Sequence, residues 1–158
     1  MSGTGAGGTF VGVDVDALKK TVNYHRLTTG LAYPTFCRNL FADLRKAMAE
    51  AVVEARNTGR GLWPVDVTES GVKIDDLSTL TRSAVVLPKL FRRLADYLIL
   101  NDGSPSLAGF KANLEQRNDR LFIVSSGQST GFGTVVEVTN GNTVKLTRPP
   151  EDLVFDEK

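Results

Sequence analysis

The chain has 158 residues, 41% of them hydrophobic, which is enough to bury the core of one ordinary domain. Its 19 Lys and Arg nearly balance its 18 Asp and Glu, so a surface that binds nucleic acid would have to be a local basic patch. The single cysteine, Cys37, excludes an intrachain disulfide and a zinc cluster of thiolates.

The beginning of the chain carries no sign of export or membrane insertion. No apolar run approaches the ~20 residues that a membrane-spanning helix needs, and no signal peptide is visible. After Met1, residues 2–9 are only Gly, Ser, Thr and Ala, a composition typical of flexible segments. We therefore expect a flexible lead-in over 1–9 and a cytoplasmic protein without a membrane partner.

A first helix is predicted from about residue 16 to residue 29. Asp14 and Asp16 are both suited to accept the free backbone N–H groups at its beginning, and Gly30 is suited to the left-handed conformation that ends a helix. His25, the one histidine, falls inside this helix. We interpret it as a packed or capping imidazole rather than a catalytic base, because no carboxylate partner can be placed beside it.

A second helix gives the clearest pattern in the chain. Apolar residues recur at helical spacing in Phe36, Leu40, Leu44, Ala47, Ala51 and Ala55. We expect Thr35 to cap its beginning and the helix to end near Asn57. Cys37 falls inside this pattern and is expected to be a small buried hydrophobe. Trp63 follows and is expected to pack against the end of this helix, a stacking platform for bases being the alternative.

The middle of the chain is predicted as a connector followed by two helices. Residues 65–83 are polar and rich in turn formers, with room for one short strand over 72–74. Pro88 is a favoured first residue for a third helix, which should end at residues 101–103. Ser106 is then expected to cap a short fourth helix.

The last third changes to the pattern of strands. Residues 121–124 are a short apolar run that predicts a buried strand. The segments 135–138 and 143–146 flank Asn140-Gly141, a strong signal for a β-hairpin. The Gly- and Ser-rich segment 125–133 lacks the Lys-Ser/Thr ending of a phosphate loop and is predicted as an ordinary mobile loop.

The tail is expected to lie along the surface over 148–152, because Pro149 and Pro150 oppose regular structure. Val154 and Phe155 would hold it in place. Together these elements predict an α+β fold with three or four helices and a small antiparallel hairpin or sheet in the last third.

Several short motifs occur in an order that resembles the staphylococcal-nuclease-like (thermonuclease) family. They are Val22-Asn23, Leu27, Gly30-Leu31-Ala32-Tyr33, a long helix that begins near Phe36, Ala55-Arg56 and Gly59-Arg60-Gly61-Leu62-Trp63. In that family a short helix leads to a Gly-Leu-Ala-Tyr element, an amphipathic helix packs on a barrel, and a Gly-Leu/Ile-Trp element follows. The resemblance covers about residues 10–71. Residues 72–158 resemble an appended helix-and-hairpin segment found in an actinobacterial-type branch of such proteins.

The resemblance implies calcium-dependent hydrolysis of phosphodiesters by a barrel that lies N-terminal to this segment in the family. That barrel carries two aspartates that hold Ca²⁺, a glutamate that serves as or assists the general base, and two arginines that clamp the phosphate. All five would precede Phe10, where none of these residue types occurs. We therefore expect no catalytic residue, metal site or cofactor in this chain. Tyr33 alone matches the family's nucleotide pocket, and a structural tyrosine is the alternative.

Three hypotheses for function follow. The first is a truncated, non-catalytic relative of the nucleases that acts as an interaction module, with a second copy or a partner chain covering its exposed helix faces. The second is part of an active nuclease that a barrel-bearing partner completes. The third is a non-catalytic nucleic-acid-binding domain; its candidate residues, for which an ordinary solvated helix face is the alternative, are Lys89, Arg92, Arg93, Arg45 and Lys46.

Overall fold

The computed structural model describes residues 12–102, 104 and 106–156. These residues form an α+β fold, and the expected lead-in over 1–9 lies outside them. The helices are α1 Val15–Leu18, α2 Val22–Thr28, α3 Ala42–Asn57, α4 Leu77–Arg82, α5 Pro88–Leu100 and α6 Phe110–Arg117. The strands are β1 Phe36–Cys37, β2 Val72–Lys73, β3 Arg120–Ile123, β4 Gln128–Gly131, β5 Val136–Thr139, β6 Thr143–Leu146 and β7 Leu153–Phe155.

The strands form two small sheets. One has the order β1-β7-β3-β4 and the other the order β2-β6-β5. In the first sheet β7 pairs in parallel with β1 and antiparallel with β3. An edge strand from the first third of the chain therefore pairs with an inner strand from its last residues.

The prediction for the tail was only partly right: Val154 and Phe155 are buried and hold it in place, as expected, but residues 150–152 are not irregular and Pro150 is buried. Pro150–Asp152 forms a 3₁₀ turn, and the three residues of β7 that follow are all buried. Three consecutive apolar residues suit a strand that is covered on both faces. Pro149 and Pro150 indicated irregular structure, but both lie before the strand, which begins at Leu153.

The second predicted helix begins six residues later than its apolar pattern suggests, at Ala42. Phe36 and Cys37 instead form β1, where Phe36 pairs with Val154. Pairing with a distant strand outweighs the local helical pattern here. Cys37 is therefore a half-buried strand residue rather than a helical one, and Thr35 precedes that strand instead of capping the helix.

The first predicted helix is divided into α1 and α2. The Asp14 carboxylate caps α1 by accepting the N–H of Ala17 at 2.7 Å, as expected. The break occurs at Thr21, whose hydroxyl donates to the carbonyl of Leu18 and accepts the N–H of Tyr24. Such local hydrogen bonds by threonine compete with a continuous helix.

The turn after α2 packs closely on the turn before Trp63. Gly30 has φ +71° and Gly61 has φ +58°, both in the left-handed region that favours glycine. A Cβ on Gly30 would overlap the backbone carbonyl of Arg60, and a Cβ on Gly61 would overlap that of Gly30. The N–H of Leu62 donates to the Gly30 carbonyl at 2.9 Å. Two glycines of the family-like motifs therefore lie in direct contact.

The middle of the chain contains an unpredicted helix, α4, within the segment interpreted as a connector. Asp76 accepts the N–H of Thr79, whose side chain in turn accepts the Asp76 N–H. This capping box begins the helix. The third predicted helix is confirmed, with Pro88 as the first residue of α5. The fourth, α6, follows Gly109 rather than Ser106.

The hairpin of the last third is confirmed. β5 and β6 pair antiparallel, with Val138 opposite Val144, and Asn140 and Gly141 both have positive φ in the turn. The neighbouring segment, predicted as a mobile loop, instead contains β4, which pairs with β3 across a turn at Gly127.

Two hydrophobic clusters organise the described residues. The larger cluster draws its buried side chains from between Ile74 and Phe155. The smaller one consists of Leu27, Ala51, Val52, Ala55 and Trp63, which confirms that Trp63 packs against the end of α3. Tyr33 contacts both clusters, so the family-like segment and the appended segment share one packed interior. In the described part of the chain, no helix has the length and apolar character needed to cross a bilayer.

Candidate functional site

Tyr33 lies on the segment between α2 and β1. Its ring meets the ring of Trp63 edge-on, with 5.4 Å between the centroids. Its hydroxyl donates to an Asp66 carboxylate oxygen at 2.5 Å, and the Thr68 hydroxyl donates to the same oxygen. Burial, together with this hydrogen bond, raises the pKa of Tyr33 well above its usual value. The phenol therefore stays protonated and donates its hydrogen bond to the Asp66 carboxylate.

A partly buried ion pair lies near Tyr33. The Arg56 guanidinium donates to both carboxylate oxygens of Glu151, one of them at 2.7 Å, and lies 4.4 Å from the centroid of the Trp63 ring. Burial raises the pKa of the nearby Glu69 carboxyl, and the charges of Glu151 and Asp66 add to this while Arg56 opposes it. Glu151 thus contacts the guanidinium directly while Glu69 and Asp66 act on it through their charge, and the ion pair connects α3 to the chain that enters β7.

An open cavity of about 310 Å³ lies between α2, the β1 segment and α3. Its lining is mostly apolar, with Asn23, Arg26, Leu27, Ala32, Tyr33, Pro34, Thr35, Phe36, Leu40 and Met48. Two large apolar side chains next to lining residues in the chain, Leu31 and Phe41, are 67% and 71% exposed. This surface, which we call the α2–α3 surface, therefore presents a cavity and exposed apolar side chains together.

The basic residues of α5 surround a carboxylate. Arg93 donates through Nε and Nη2 to the two oxygens of Asp119, at 2.6 and 3.0 Å, and the Lys89 ammonium lies 3.3 Å from one of them. Asp119 is only 5% exposed. Burial alone would raise the pKa of Asp119, but the hydrogen bond from Arg93 and the charges of Lys89 and Arg93 outweigh burial and lower it. Asp119 is therefore an anion that fixes both cations.

Lys89 and Arg93, together with the exposed Arg92, line a second cavity of about 430 Å³. The other lining residues are Thr35, Cys37, Asp119, Phe155 and Asp156, so β1, α5 and β7 all contribute. We call this space the basic cavity. Three of the five residues predicted to contact nucleic acid thus lie together.

The other two candidates, Arg45 and Lys46, lie on α3 and do not line the basic cavity. Lys46 instead borders a shallow apolar groove on the outer face of α3, together with Ala49 and Val53. His25 is exposed in the last turn of α2, so of the two expected roles, a packed or a capping imidazole, the packed one is wrong. No group of three or more His, Cys, Asp or Glu within the described ranges is arranged to hold a metal ion.

Sequence reasoning missed the anionic partners in both clusters. Asp66, Asp119 and Glu151 were not predicted as partners of Tyr33, of the α5 cations or of Arg56, because nothing local in the sequence marks these pairings. Each acquires its role only when the fold brings it to Tyr33, to α5 or to Arg56. Comparison of the chain with protein-family models, with curated proteins and with solved structures finds no match.

Proposed function

We propose that this chain is a non-catalytic interaction module, related to the C-terminal helical part of the staphylococcal-nuclease-like family, and that its α2–α3 surface binds a second copy of the chain. The observation that carries the proposal is the cavity of about 310 Å³, lined in part by Leu40, together with the exposed Phe41 that follows Leu40 in the chain. Large exposed apolar patches and grooves mark interaction sites on soluble proteins.

A two-fold dimer needs a surface that complements itself. The α2–α3 surface suits this requirement, because it has both an exposed aromatic side chain, Phe41, and an apolar cavity that the preceding residue, Leu40, helps to line. In such a dimer, Phe41 of each copy enters the cavity of the other copy beside Leu40 and Met48. The Asn23 and Arg26 side chains at the cavity supply the polar margin that interfaces require.

Support for the family relationship comes from the contacts between its motif residues. Gly30 and Gly61 touch, and Tyr33 packs on Trp63, so the Gly-Leu-Ala-Tyr and Gly-Leu-Trp elements form one unit. In the family this unit lies beside a catalytic barrel. The Tyr33 hydroxyl is occupied by Asp66, which favours a structural role over a role in a nucleotide pocket.

Sedimentation velocity of the full chain over a range of concentrations tests the proposal. We expect a monomer–dimer equilibrium that Phe41→Ser shifts strongly toward the monomer. Ile99→Ser is the matched control, because Ile99 is similarly apolar and 63% exposed but lies on α5. A chain that stays monomeric at every concentration, or that responds equally to both substitutions, would contradict the proposal.

Cleavage assays with DNA and RNA test the claim that the module is non-catalytic. We expect the purified chain to release no fragments in millimolar Ca²⁺ beyond the level seen with a chelator. Calcium-dependent cleavage by the chain alone would show that a different set of carboxylates assembles a site. Cleavage only after addition of a barrel-bearing chain would favour the alternative of a nuclease completed by a partner.

A further inference from the structure

The basic cavity has the features of a binding site for a small anion, and they do not depend on the proposed dimer. Its lining residues include three cations, Lys89, Arg92 and Arg93, against two carboxylates, Asp119 and Asp156. Asp156 is already within 3.2 Å of the Arg38 guanidinium. The cavity therefore carries an excess of positive charge, although the chain as a whole has a formal net charge of only +1.

Two of the cations are held in place before any ligand arrives. Asp119 binds Arg93 through two hydrogen bonds and attracts Lys89, and both side chains are largely buried. An ammonium has three N–H donors and a guanidinium has five. Asp119 accepts from only some of these N–H donors. Preorganised cations lose little side-chain entropy on binding, so they favour affinity for an anion.

The third cation has no such partner. Arg92 is exposed and forms no ion pair with any residue in the described part of the chain. It follows Pro88 and Lys89 in the first turns of α5, a helix of 13 residues whose N-terminal end favours anions. A planar guanidinium at this place suits two-point binding of an oxyanion.

Thr35 and Asp156 also line the cavity. Thr35 contributes a hydroxyl, and the buried Oδ1 of Asp156 has an ion-pair contact with Arg38 at 3.2 Å but no hydrogen bond of good geometry with a described residue. A carboxylate has several acceptor sites, so a donor on a ligand can add a hydrogen bond to Asp156 beside Arg38. A ligand that fills the cavity would therefore carry an oxyanion at one end and a hydroxyl or amino group at the other.

We propose that the basic cavity binds a small phosphomonoester, with its phosphate on Lys89, Arg92 and Arg93 and a hydroxyl or amino group near Asp156. A volume of about 430 Å³ exceeds that of a phosphate ion, lies within the range of small-molecule sites, and is too small to enclose a strand of nucleic acid. The doubly charged phosphate matches the excess of cations. The proposal assigns binding, with no chemical step.

Titration of the isotope-labelled full chain with inorganic phosphate, glycerol 3-phosphate and glycerol, followed by NMR, tests this. We expect saturable shifts at residues 35–37, 89–93 and 156 with both phosphates, tighter binding of glycerol 3-phosphate, and no shifts with glycerol. Arg92→Ala should weaken binding of glycerol 3-phosphate by roughly tenfold. Arg82→Ala, which removes an exposed arginine of α4, should leave it unchanged.

Several outcomes would overturn the assignment. They are an absence of shifts at millimolar phosphate, shifts spread over the surface that Arg92→Ala does not reduce, and an equal loss of affinity in Arg82→Ala. Tighter binding of an oligonucleotide without terminal phosphates than of glycerol 3-phosphate would also overturn it, in favour of a nucleic-acid surface. Because Arg92 is exposed, its removal should leave the spectrum otherwise that of the folded chain.

Discussion

Arg56 and Glu151 are 95 residues apart in the chain and form a two-point ion pair, with the Arg56 guanidinium lying over the Trp63 ring. Arg56 belongs to α3, and Glu151 belongs to the 3₁₀ turn that leads into β7. The pair therefore fastens the family-like helix to the central strand of the four-stranded sheet. With β1 pairing on β7 as well, the described residues before and after residue 71 form a common structure.

Glu151→Gln should lower the free energy of unfolding by about 1–3 kcal/mol, because it removes the negative charge that is hydrogen-bonded at two points to the partly buried Arg56. Urea denaturation at neutral pH measures this. Glu54→Gln is the control, since Glu54 and Arg60 are both exposed and lie 3.8 Å apart, and it should change stability by less than about 0.5 kcal/mol. Equal effects of the two substitutions would mean that the Arg56–Glu151 pair does not fasten the two segments.

Gly30→Ala should be much more destabilising than Gly59→Ala. Both glycines have positive φ, so both substitutions carry backbone strain of about 1 kcal/mol. Only at Gly30 does the new Cβ overlap a backbone carbonyl, whereas at Gly59 the nearest atom is 3.8 Å away on Pro64. Thermal unfolding should therefore separate the two variants clearly. Equal midpoints of thermal unfolding for the two variants would contradict the close contact between Gly30 and Gly61.

Tyr33→Phe should cost about 1–2 kcal/mol of stability, because Asp66 loses a hydrogen-bond donor while the ring remains. Tyr24→Phe serves as a control on a half-buried tyrosine of α2 and should change stability little. Denaturant unfolding measures both. If Tyr33→Phe left stability unchanged, the structural role of the hydroxyl would be wrong and the nucleotide-pocket interpretation would regain support.

Asp119→Asn should remove a pH-dependent part of the stability. The pKa of Asp119 is lower in the folded chain than its ordinary value, so its carboxylate stabilises the fold above that ordinary value, and this contribution disappears as the pH falls through the folded-state pKa. The variant should therefore be less stable than the wild type at neutral pH, by about 2–4 kcal/mol, and the gap should close in acid. Asp96→Asn, at a more exposed carboxylate, should show little of this. A gap that persists at low pH would contradict the account.

The sequence predicted those elements whose signals lie within the element itself. Pro88 begins α5, and Asn140-Gly141 closes the β5–β6 hairpin, because a fixed φ and a positive φ act locally. The strands β1 and β7 escaped prediction. The strand β1 has only two residues, Phe36 and Cys37. They form a strand only because residues 153–155 lie beside them, and nothing in the local sequence indicates that pairing.

In the candidate site, too, the sequence predicted the residues that are grouped locally and missed the one that is brought in by the fold. Lys89, Arg92 and Arg93 were singled out from sequence, because helical spacing alone groups them. Asp119 was not, since its place between Lys89 and Arg93 depends on how α6 and β3 pack against α5. The sequence therefore indicated a basic cluster but not that a buried carboxylate organises part of it into the wall of a cavity.

Hydrogen exchange of the full chain at low and high protein concentration tests the central proposal most directly, because it both detects association and locates it. The account predicts that exchange slows with concentration in the backbone amides of residues 23–27 and 40–48, that α5 and α6 are unaffected, and that Phe41→Ser abolishes the slowing. Exchange that does not depend on concentration, or slowing centred on the exposed Ile99 and Leu100 instead, would contradict an interaction module built on the α2–α3 surface.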